Sequence, residues 1–405
     1  VLSRRAAWGV VLVATLTMAV SYIDRTALAV LAPTVTRVMG ISESAYGWLA
    51  AAFSMAYLLG TPLSGWWIDR IGARRGLVYS VLVWSAVAAL HALAPGFGVL
   101  FALRIALGLA EGPSFPGAAQ TVVRVLPPGE RSRGFGVLFT GSSVGAMVAP
   151  PLASYLFKIA GWRVAFLGTA AIGLLWIPIW IAMTWRRPAI AARLDTSGPV
   201  TEPGPRPPLR KLIRHPIMVR ALLAIFAVAP VTGFVVVWGS KFLVRRFGLG
   251  QADVGSYLWV PPVCADAASV LFGDLAARQR RAPGAPPRAL FVVAAVLAAA
   301  VAVLPLVETP WRAIAILGVA MAGVLAAYAL VTSDMLGRMP AASASTAAGI
   351  IAGAQSLALI ISGPLIGRAL DHYGSYDVIA FSLGAWVAPG AFIWWAWRPA
   401  ARFES

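Results

Sequence analysis

From Phe291 to Pro305 the chain carries no polar side chain, and comparable runs recur along its length. A stretch that is apolar on every side has no face to give to water, so it suits a membrane span or a fully buried helix. Twelve such segments are read, at about 8–38, 45–69, 75–94, 97–123, 132–157, 163–185, 217–244, 252–277, 289–307, 311–337, 343–370 and 377–397. At about 20 residues each, twelve helices take up roughly 240 residues, which leaves too little chain to bury them in a soluble body. The runs lack the ten-residue alternation of a membrane barrel, so helices are indicated. The chain is 60% hydrophobic and 12% charged, where a soluble domain has about 25% charged residues. A soluble enzyme, a coiled coil and a disordered chain are excluded. The expected fold is an all-α membrane protein with 12 transmembrane helices.

Lys and Arg number 33 and Asp and Glu 15, a net charge of +18. In a soluble protein that excess would point to nucleic acid, but here the charges sit in short loops. With the N-terminus inside, 22 of the 33 cationic residues fall in inner segments and 8 in outer ones, while Arg25, Arg104 and Arg220 lie in or at the edge of spans. The positive-inside rule then places both termini in the cytoplasm, across a membrane of the bacterial inner (plasma) type, and accounts for the charge without nucleic acid. After Arg4-Arg5 the first apolar run continues into Tyr22-Ile-Asp-Arg25 with no signal-peptide cleavage pattern, so it is expected to remain as a span.

The longest break, Arg186–Pro216, is basic and carries seven prolines, which makes it a semi-extended tether. It predicts three parts: a six-helix bundle over 1–185, a cytoplasmic linker over 186–216, and a second six-helix bundle over 217–405. The halves echo each other. Pro151-Leu152 with Gly161 has the spacing of Pro364-Leu365 with Gly374, and Gly65-Trp-Trp-Ile-Asp-Arg70 is matched by Gly273-Asp-Leu-Ala-Ala-Arg278. Chance is the competing explanation for each match alone, but two repeated halves joined by a linker are the plan of alternating-access carriers.

Enzymatic chemistry has little to work with. Cys264 is the one cysteine, and His91, His215 and His372 are far apart. No metal-ligand spacing, catalytic triad or phosphate-binding loop is present, so no metal, cofactor or enzyme activity is expected. His91, at the outer end of span three, is expected to be solvated, and Cys264 to be a small packing residue.

Gly65-xxx-Asp69-Arg70-x-Gly72-x-Arg74-Arg75, on the inner side after span two, resembles the loop signature of the major facilitator superfamily. Its physical sense is a latch. Asp69 can sit against the positive N-terminus of a neighbouring helix, with the start of span eleven near Ser343–Thr346 as the candidate. Arg70 and Arg74 can reach carboxylates or carbonyls when the inner gate is shut. The second copy has Ala277 where the aspartate would be. Gly367-xxx-Asp371-xx-Gly374 has the same spacing but falls on the outer side, and is not counted as a latch. Arg104-xxx-Gly108-xxx-Gly112 in span four is also typical of the superfamily.

Within it, the chain is similar to the anion:cation symporter family, which includes permeases for sugar acids, phthalate-type and other organic acids. The similarity rests on Ser21-Tyr-Ile-Asp-Arg25, Ala51-Ala-Phe-Ser-Met-Ala-Tyr57, Arg104-Ile-Ala-Leu-Gly-Leu-Ala-Glu-Gly-Pro-Ser-Phe-Pro116, Glu130-Arg131 and Gly161-Trp-Arg163. It covers most of the N-terminal half and is thin in the C-terminal half. It implies functional charges at Asp24, Arg25 and Glu111, with Arg104 and Tyr57 beside them. Where the family often has an amide in span five, this chain has Ser142 and Ser143. Where span eleven often has asparagines, it has Gln355 and Ser356. These departures open the possibility of a different anion.

A charge at the bilayer centre costs about 2.5–3.5 kcal/mol on insertion scales. Asp24, Tyr57 and Glu111 fall at similar depths, and Asp24 and Arg25 point about 100° apart on a helix. Two readings follow. One is a static ion-pair network that locks four helices. The other is a pair of titratable carboxylates beside two permanent cations, in which an anion taken by Arg25 frees a carboxylate to accept a proton. Asp24 and Glu111 are expected to share proton binding, with Glu111 the better single carrier on this reading, since it follows the apolar run Ile105–Ala110 and its only counter-charge near in sequence is Arg104, two turns away. Asp266 is either a third titratable group or a hydrogen-bonded structural acid near Pro261-Pro262. Asp334, near the inner end of span ten, reads as a helix-end or gate residue. Gln355 and Ser356 read as cavity-lining, and Trp238 as a member of the interface belt or a lid over the site.

The function expected is proton-coupled symport of a small organic anion by a monomeric carrier in the lipid bilayer. A proton/drug antiporter is the alternative, but it would want a carboxylate without an arginine partner, and its span-five signature is only half matched by Gly141-xxx-Gly145. A membrane sensor without transport is the remote third reading.

Overall fold

The computed structural model describes residues 3–195, 208–279, 286–339 and 343–399. Part of the predicted linker (196–207), the loop arginines Arg280 and Arg281, and Arg402 lie outside the described residues. All regular structure among the described residues is helical. Ten helices are long and apolar enough to cross a membrane.

The chain divides into two compact units. The first comprises Val1–Ile41, Trp48–Thr201 and Leu243–Trp259, and the second Ser42–Gly47, Glu202–Phe242 and Val260–Ser405.

In the first unit, α1 (Arg4–Val38) starts where the Ser3 hydroxyl accepts the Ala6 amide at 3.3 Å. It packs along α6 (Pro128–Thr184), which also receives α3 (Ala73–Leu90). The core between them holds Val10, Leu77, Trp84, Leu138, Trp176 and Trp180. The Trp176 and Trp180 indoles donate to the Val13 and Arg74 carbonyls at 2.8 and 3.0 Å, so each large ring is packed without leaving its N–H unpaired. A straight α6 of 57 residues would run about 85 Å. Its backbone breaks at Ala160–Gly161, where Gly161 has φ +80°, at the loop expected between spans five and six. The helix α2 (Glu43–Ile71) has 29 residues and is not among the ten. Span four divides into α4 (Phe97–Glu111) and α5 (Ser114–Val125) around Gly112-Pro113, and α7 (Pro188–Leu194) follows α6. The return of Leu243–Trp259 to this unit is held by Gln251, which donates to the Val30 carbonyl at 2.6 Å.

The second unit is built from α8 (Leu209–Arg214), α9 (Pro216–Gly233), the start of α10 (Gly239–Phe247, which ends in the first unit as does all of α11, Gly255–Leu258), α12 (Val260–Arg278), α13 (Arg288–Ala299), α14 (Pro310–Leu336), α15 (Ala344–Tyr373) and α16 (Asp377–Ala396). A π turn at Phe234–Trp238 joins α9 to α10, just after Pro230 removes a backbone donor from the helix. The α12 and α13 helices pack on α14, and α15 and α16 on α9. Asp334 is buried between Arg220 and Arg338. Arg338 donates to it at 2.8 and 3.1 Å, Arg220 pairs with its other oxygen, and Arg220 also reaches the Trp397 carbonyl at 3.2 Å. The residue read as a helix-end or gate acid therefore pairs with two buried cations at the end of α14.

Candidate functional site

The site in the first unit is built where α4 meets α2. A Cβ on Gly108 would lie 2.5 Å from the Phe53 carbonyl oxygen and 3.0 Å from the Tyr57 amide. Only a residue without a side chain lets the two backbones approach this closely. Arg104 and Glu111, one turn either side of Gly108, are thereby brought level with the Phe53–Tyr57 turn of α2. The middle of α1 closes the third side with Ser21, Tyr22, Asp24 and Arg25.

Arg25 and Glu111 form the central pair. Arg25 Nη2 and Nε donate to Glu111 Oε2 at 2.8 and 3.2 Å. The Ser21 hydroxyl donates to the same oxygen at 2.7 Å and accepts from Arg25 Nη2 at 3.3 Å. The glutamate is fully buried, while the Arg25 side chain keeps 19% of its surface. Three rings surround that guanidinium: Tyr22 at 4.5 Å, Tyr57 at 4.6 Å and Phe53 at 5.0 Å from their centroids. Arg104 lies 4.6 Å from the Phe53 centroid and donates to the Arg25 carbonyl at 3.4 Å. Phe53 is therefore shared by two cations whose mutual repulsion its π-face offsets.

Asp24 is different. It is 3% exposed, and neither carboxylate oxygen has a hydrogen-bond partner. The Trp84 indole is its polar neighbour. An ionised carboxylate buried without a donor or a counter-ion costs several kcal/mol, whereas Glu111 has an arginine and a hydroxyl on one oxygen. The sequence had paired Glu111 with Arg104 and made it the better proton carrier; its partner is Arg25, and the unpartnered acid is Asp24.

The other candidates sit apart from this cluster or in the second unit. The Ser142 hydroxyl donates to the Phe139 carbonyl of its own helix at 2.8 Å, and Ser143, beside it on α6, is half-buried. In the second unit Trp238 is fully buried and meets Tyr46 edge-on at 4.9 Å, which rules out the interface belt for its ring. Gln355 and Ser356 are half-buried on α15, with Ser356 donating to the Ala352 carbonyl at 3.1 Å. Asp266 and Cys264 are half-buried on α12. His91 is a correction: it is 1% exposed, its Nδ1 at 2.8 Å from the Val87 carbonyl. In the 3-10 turn His91–Leu93 that follows α3, His91 and Ala92 are buried and Leu93 is exposed.

The inner signature forms a tight local structure. Gln120 of α5 donates to Asp69 Oδ1 at 2.8 Å and accepts the Ala73 amide at 2.9 Å, so one amide spans the turn between α2 and α3. Gly72 has φ +80°, and a Cβ there would lie 2.4 Å from the Leu194 carbonyl oxygen; both the turn and the approach of α7 demand glycine. Arg74 forms a two-bond pair with Asp195, with Nε–Oδ1 at 2.8 Å, and its guanidinium stacks over Trp185 at 4.3 Å. Arg70 stacks over Trp66 at 4.0 Å, Arg75 is exposed, and Gly65 has open space around it. The bond seen for Asp69 is thus to Gln120; residues 340–342, which lead into its expected partner, lie outside the described residues.

Sequence reasoning missed Phe53, Gln120 and Asp195. Phe53 stands four residues before Tyr57, on the same helix face, and that spacing was the available signal. Gln120 and Asp195 had none, since each acts across a turn made by other elements.

Many apolar helices around a buried, mostly paired charge cluster define a multi-pass integral membrane protein with a polar site inside one of its units. The chain belongs to the Major Facilitator Superfamily, whose family description matches residues 14–358, and is a membrane transporter of that superfamily. It is 25% identical to the hexuronate transporter of Escherichia coli (strain K12) over 406 residues, covering 96% of this chain and 93% of that protein. It is 28% identical to the galacturonate transporter of Dickeya chrysanthemi over 277 residues, 66% of this chain and 80% of that one. In fold it resembles the crystal structure of a bacterial homologue of the human lysosomal transporter Spinster, inward-facing and unoccupied, with a TM-score of 0.77 at 20% identity, over 98% of this chain and 94% of that chain.

Proposed function

We propose that the protein imports a sugar acid or a related small organic anion in symport with protons, by alternating access, as a monomer with twelve spans. The twelve are the ten apolar helices, with α6 counted as two limbs divided at Gly161, and α2. Both termini are placed in the cytoplasm of a bacterial-type inner membrane by the loop charges.

One observation carries the substrate class. Arg25 is a partly exposed guanidinium whose Nε and Nη2 are held by Glu111, while Nη1 makes no hydrogen bond among the described residues and is not buried. A substrate carboxylate approaching the Nη1–Nη2 edge finds the planar two-donor fork that suits it. The aromatic rings around Arg25 offer apolar faces for a sugar ring, and the relatives' transport of hexuronate and galacturonate supports the same class. A cationic drug substrate is disfavoured, because the one ionised carboxylate of the cluster is already paired.

The coupling follows from charge. A substrate anion on Arg25 competes with Glu111 for Nη2, and the weakened pair raises the proton affinity of Glu111. Asp24 enters with its proton already in place. Release of the anion restores the Arg25–Glu111 pair and makes a proton easier to lose. Asp24 is the first proton carrier and Glu111 the second; Asp266, half-buried in the other unit, is at most an accessory group. Arg104 and Tyr57 hold Arg25 in place, Ser142, Ser143, Gln355, Ser356 and Trp238 are assigned to the remaining substrate contacts, and Gly65, Asp69, Arg70, Gly72, Arg74 and Arg75 to the inner latch.

The test is a thermal-shift and calorimetric screen of the purified protein against an organic-acid panel. Saturable binding of D-galacturonate or another sugar acid, absent for neutral sugars and for cationic drugs, is the expected result. Binding of lipophilic cations and of no acid overturns it.

A further inference from the structure

At one end of the second unit the first turns of α9 and α13 meet the ends of α14 and α16, and three arginines come together there. Arg220 stands in α9, Arg288 opens α13 and Arg338 follows α14. Asp334 is the acid that pairs with them among the described residues: Arg338 takes its Oδ1 at 2.8 Å and Arg220 its Oδ2. Arg288 is in no ion pair among the described residues, yet it lies close enough to repel Arg220. Three guanidinium charges against one carboxylate leave an excess of two positive charges.

The cluster is held rigidly and still has donors to spare. Arg220 is 1% exposed and Arg338 7%. Arg220 is fixed by Asp334, by the Trp397 carbonyl at 3.2 Å and by the Trp394 ring, whose centroid lies 4.8 Å from its guanidinium. Trp394 rests in turn on Phe291, with ring centroids 4.1 Å apart. After these contacts Arg220 Nε and Arg288 Nε are buried with no hydrogen-bond partner. Arg338 spends Nε and Nη2 on Asp334, and its Nη1 makes no hydrogen bond among the described residues. Arg288 is half-buried, so it gives the cluster its opening to the surface. Buried cations in excess of their counter-charges, with N–H groups unfilled, are strongly unfavourable until an anion joins them.

We propose that Arg220, Arg288 and Arg338 form a binding site for a phosphate dianion at this end of the second unit. A phosphate monoester carries a charge of about −1.5 to −2 at pH 7 and three strong acceptor oxygens. It matches both the charge excess and the three planar sets of donors, whose geometry suits phosphate oxygens. A carboxylate or a phosphodiester brings a single negative charge and leaves the cluster cationic, so a sugar acid and the headgroup of phosphatidylglycerol fit it less well. Asp334 already orders Arg220 and Arg338, so little side-chain freedom is lost on binding. The same chemistry is offered by two sources, a soluble phosphate and the headgroup of phosphatidic acid. The site shares no residue with the Arg25–Glu111 cluster and does not rest on the identity of the transported anion.

The test uses the full chain, purified in detergent free of phosphate, with inorganic phosphate as the probe. Calorimetric titration and melting temperature are read at constant ionic strength. Wild type is expected to bind phosphate saturably and to melt higher with it, whereas chloride gives no such rise and saturating D-galacturonate leaves the phosphate titration unchanged. Arg288→Gln removes a cation that holds no partner. It is expected to keep or raise the melting temperature without phosphate and to weaken phosphate binding at least tenfold, as loss of a charge-assisted hydrogen bond does. Should Arg288→Gln not fold, Arg288→Lys decides in its place: it keeps the charge, loses the planar fork, and is expected to bind about tenfold more weakly. Nanodiscs of phosphatidylcholine with and without phosphatidic acid separate the sources. A phosphate titration suppressed by phosphatidic acid assigns the site to the lipid headgroup, and one that is unchanged assigns it to soluble phosphate. No saturable phosphate binding by wild type, or wild-type affinity in the Arg288 variant, overturns the inference.

Discussion

Replacing Arg25 with lysine keeps the charge and removes the fork. In the structure the guanidinium gives Glu111 two bonds, at 2.8 and 3.2 Å, and leaves Nη1 open. A lysine ammonium can satisfy Glu111, so the cluster stays neutral and the buried glutamate is not orphaned. What is lost is the second, parallel bond to a substrate carboxylate, together with part of the stacking on Tyr22, Phe53 and Tyr57. A hydrogen bond to a charged group contributes about 1.5–3 kcal/mol, and each cation–π contact about 0.5–1 kcal/mol, part of which the ammonium retains. A net loss of about 2 kcal/mol corresponds to roughly 30-fold weaker binding. Calorimetric titration of D-galacturonate into Arg25→Lys in detergent measures it, with the melting temperature as the control for folding. Affinity within threefold of wild type in a folded variant refutes the assignment of the carboxylate to Arg25.

Glu111→Gln mimics the protonated partner of Arg25 and is expected to lose proton-driven accumulation while keeping substrate counterflow, because exchange needs no proton release; retained accumulation removes Glu111 from the coupling. Gly108→Val places a side chain against the Phe53 carbonyl, only 2.5 Å from the built Cβ, and is expected to lower the melting temperature and abolish binding together; unaltered transport by this variant contradicts the α2–α4 approach as the base of the site.

The spans were legible because a membrane helix must be apolar all round, a demand that leaves its mark on every residue of Phe291–Pro305. Asp24, Arg25 and Glu111 were legible for the same reason: charges stand out in apolar runs. Which carboxylate Arg25 takes was not legible. It depends on how α1 lies against α4, and α4 is in turn seated on α2 by the close approach at Gly108. Phe53 was hidden because an aromatic residue in an apolar span reads as packing until two guanidinia are found on it. His91 was misjudged because the end of a predicted span reads as a water interface, while its ring packs inward against Phe166. Asp371 was recognised by spacing and set aside because it falls on the expected outer side; the amides of Glu43 and Ser44, which donate to it at 3.0 and 2.9 Å, belong to a helix start that sequence cannot place beside it.

The central claim is that proton entry through Asp24 is tied to anion uptake. Its most direct measurement is accumulation of labelled D-galacturonate in proteoliposomes under an imposed pH gradient, acid outside, for wild type and Asp24→Asn side by side, with a protonophore as the control. Asp24 is buried and makes no ion pair among the described residues, so an amide in its place holds the site in its neutral form without stranding another charge. The account predicts gradient-driven accumulation by wild type that the protonophore abolishes, and none by Asp24→Asn even where the variant still binds substrate. Accumulation by wild type that ignores the gradient, or full gradient-driven accumulation by Asp24→Asn, contradicts it.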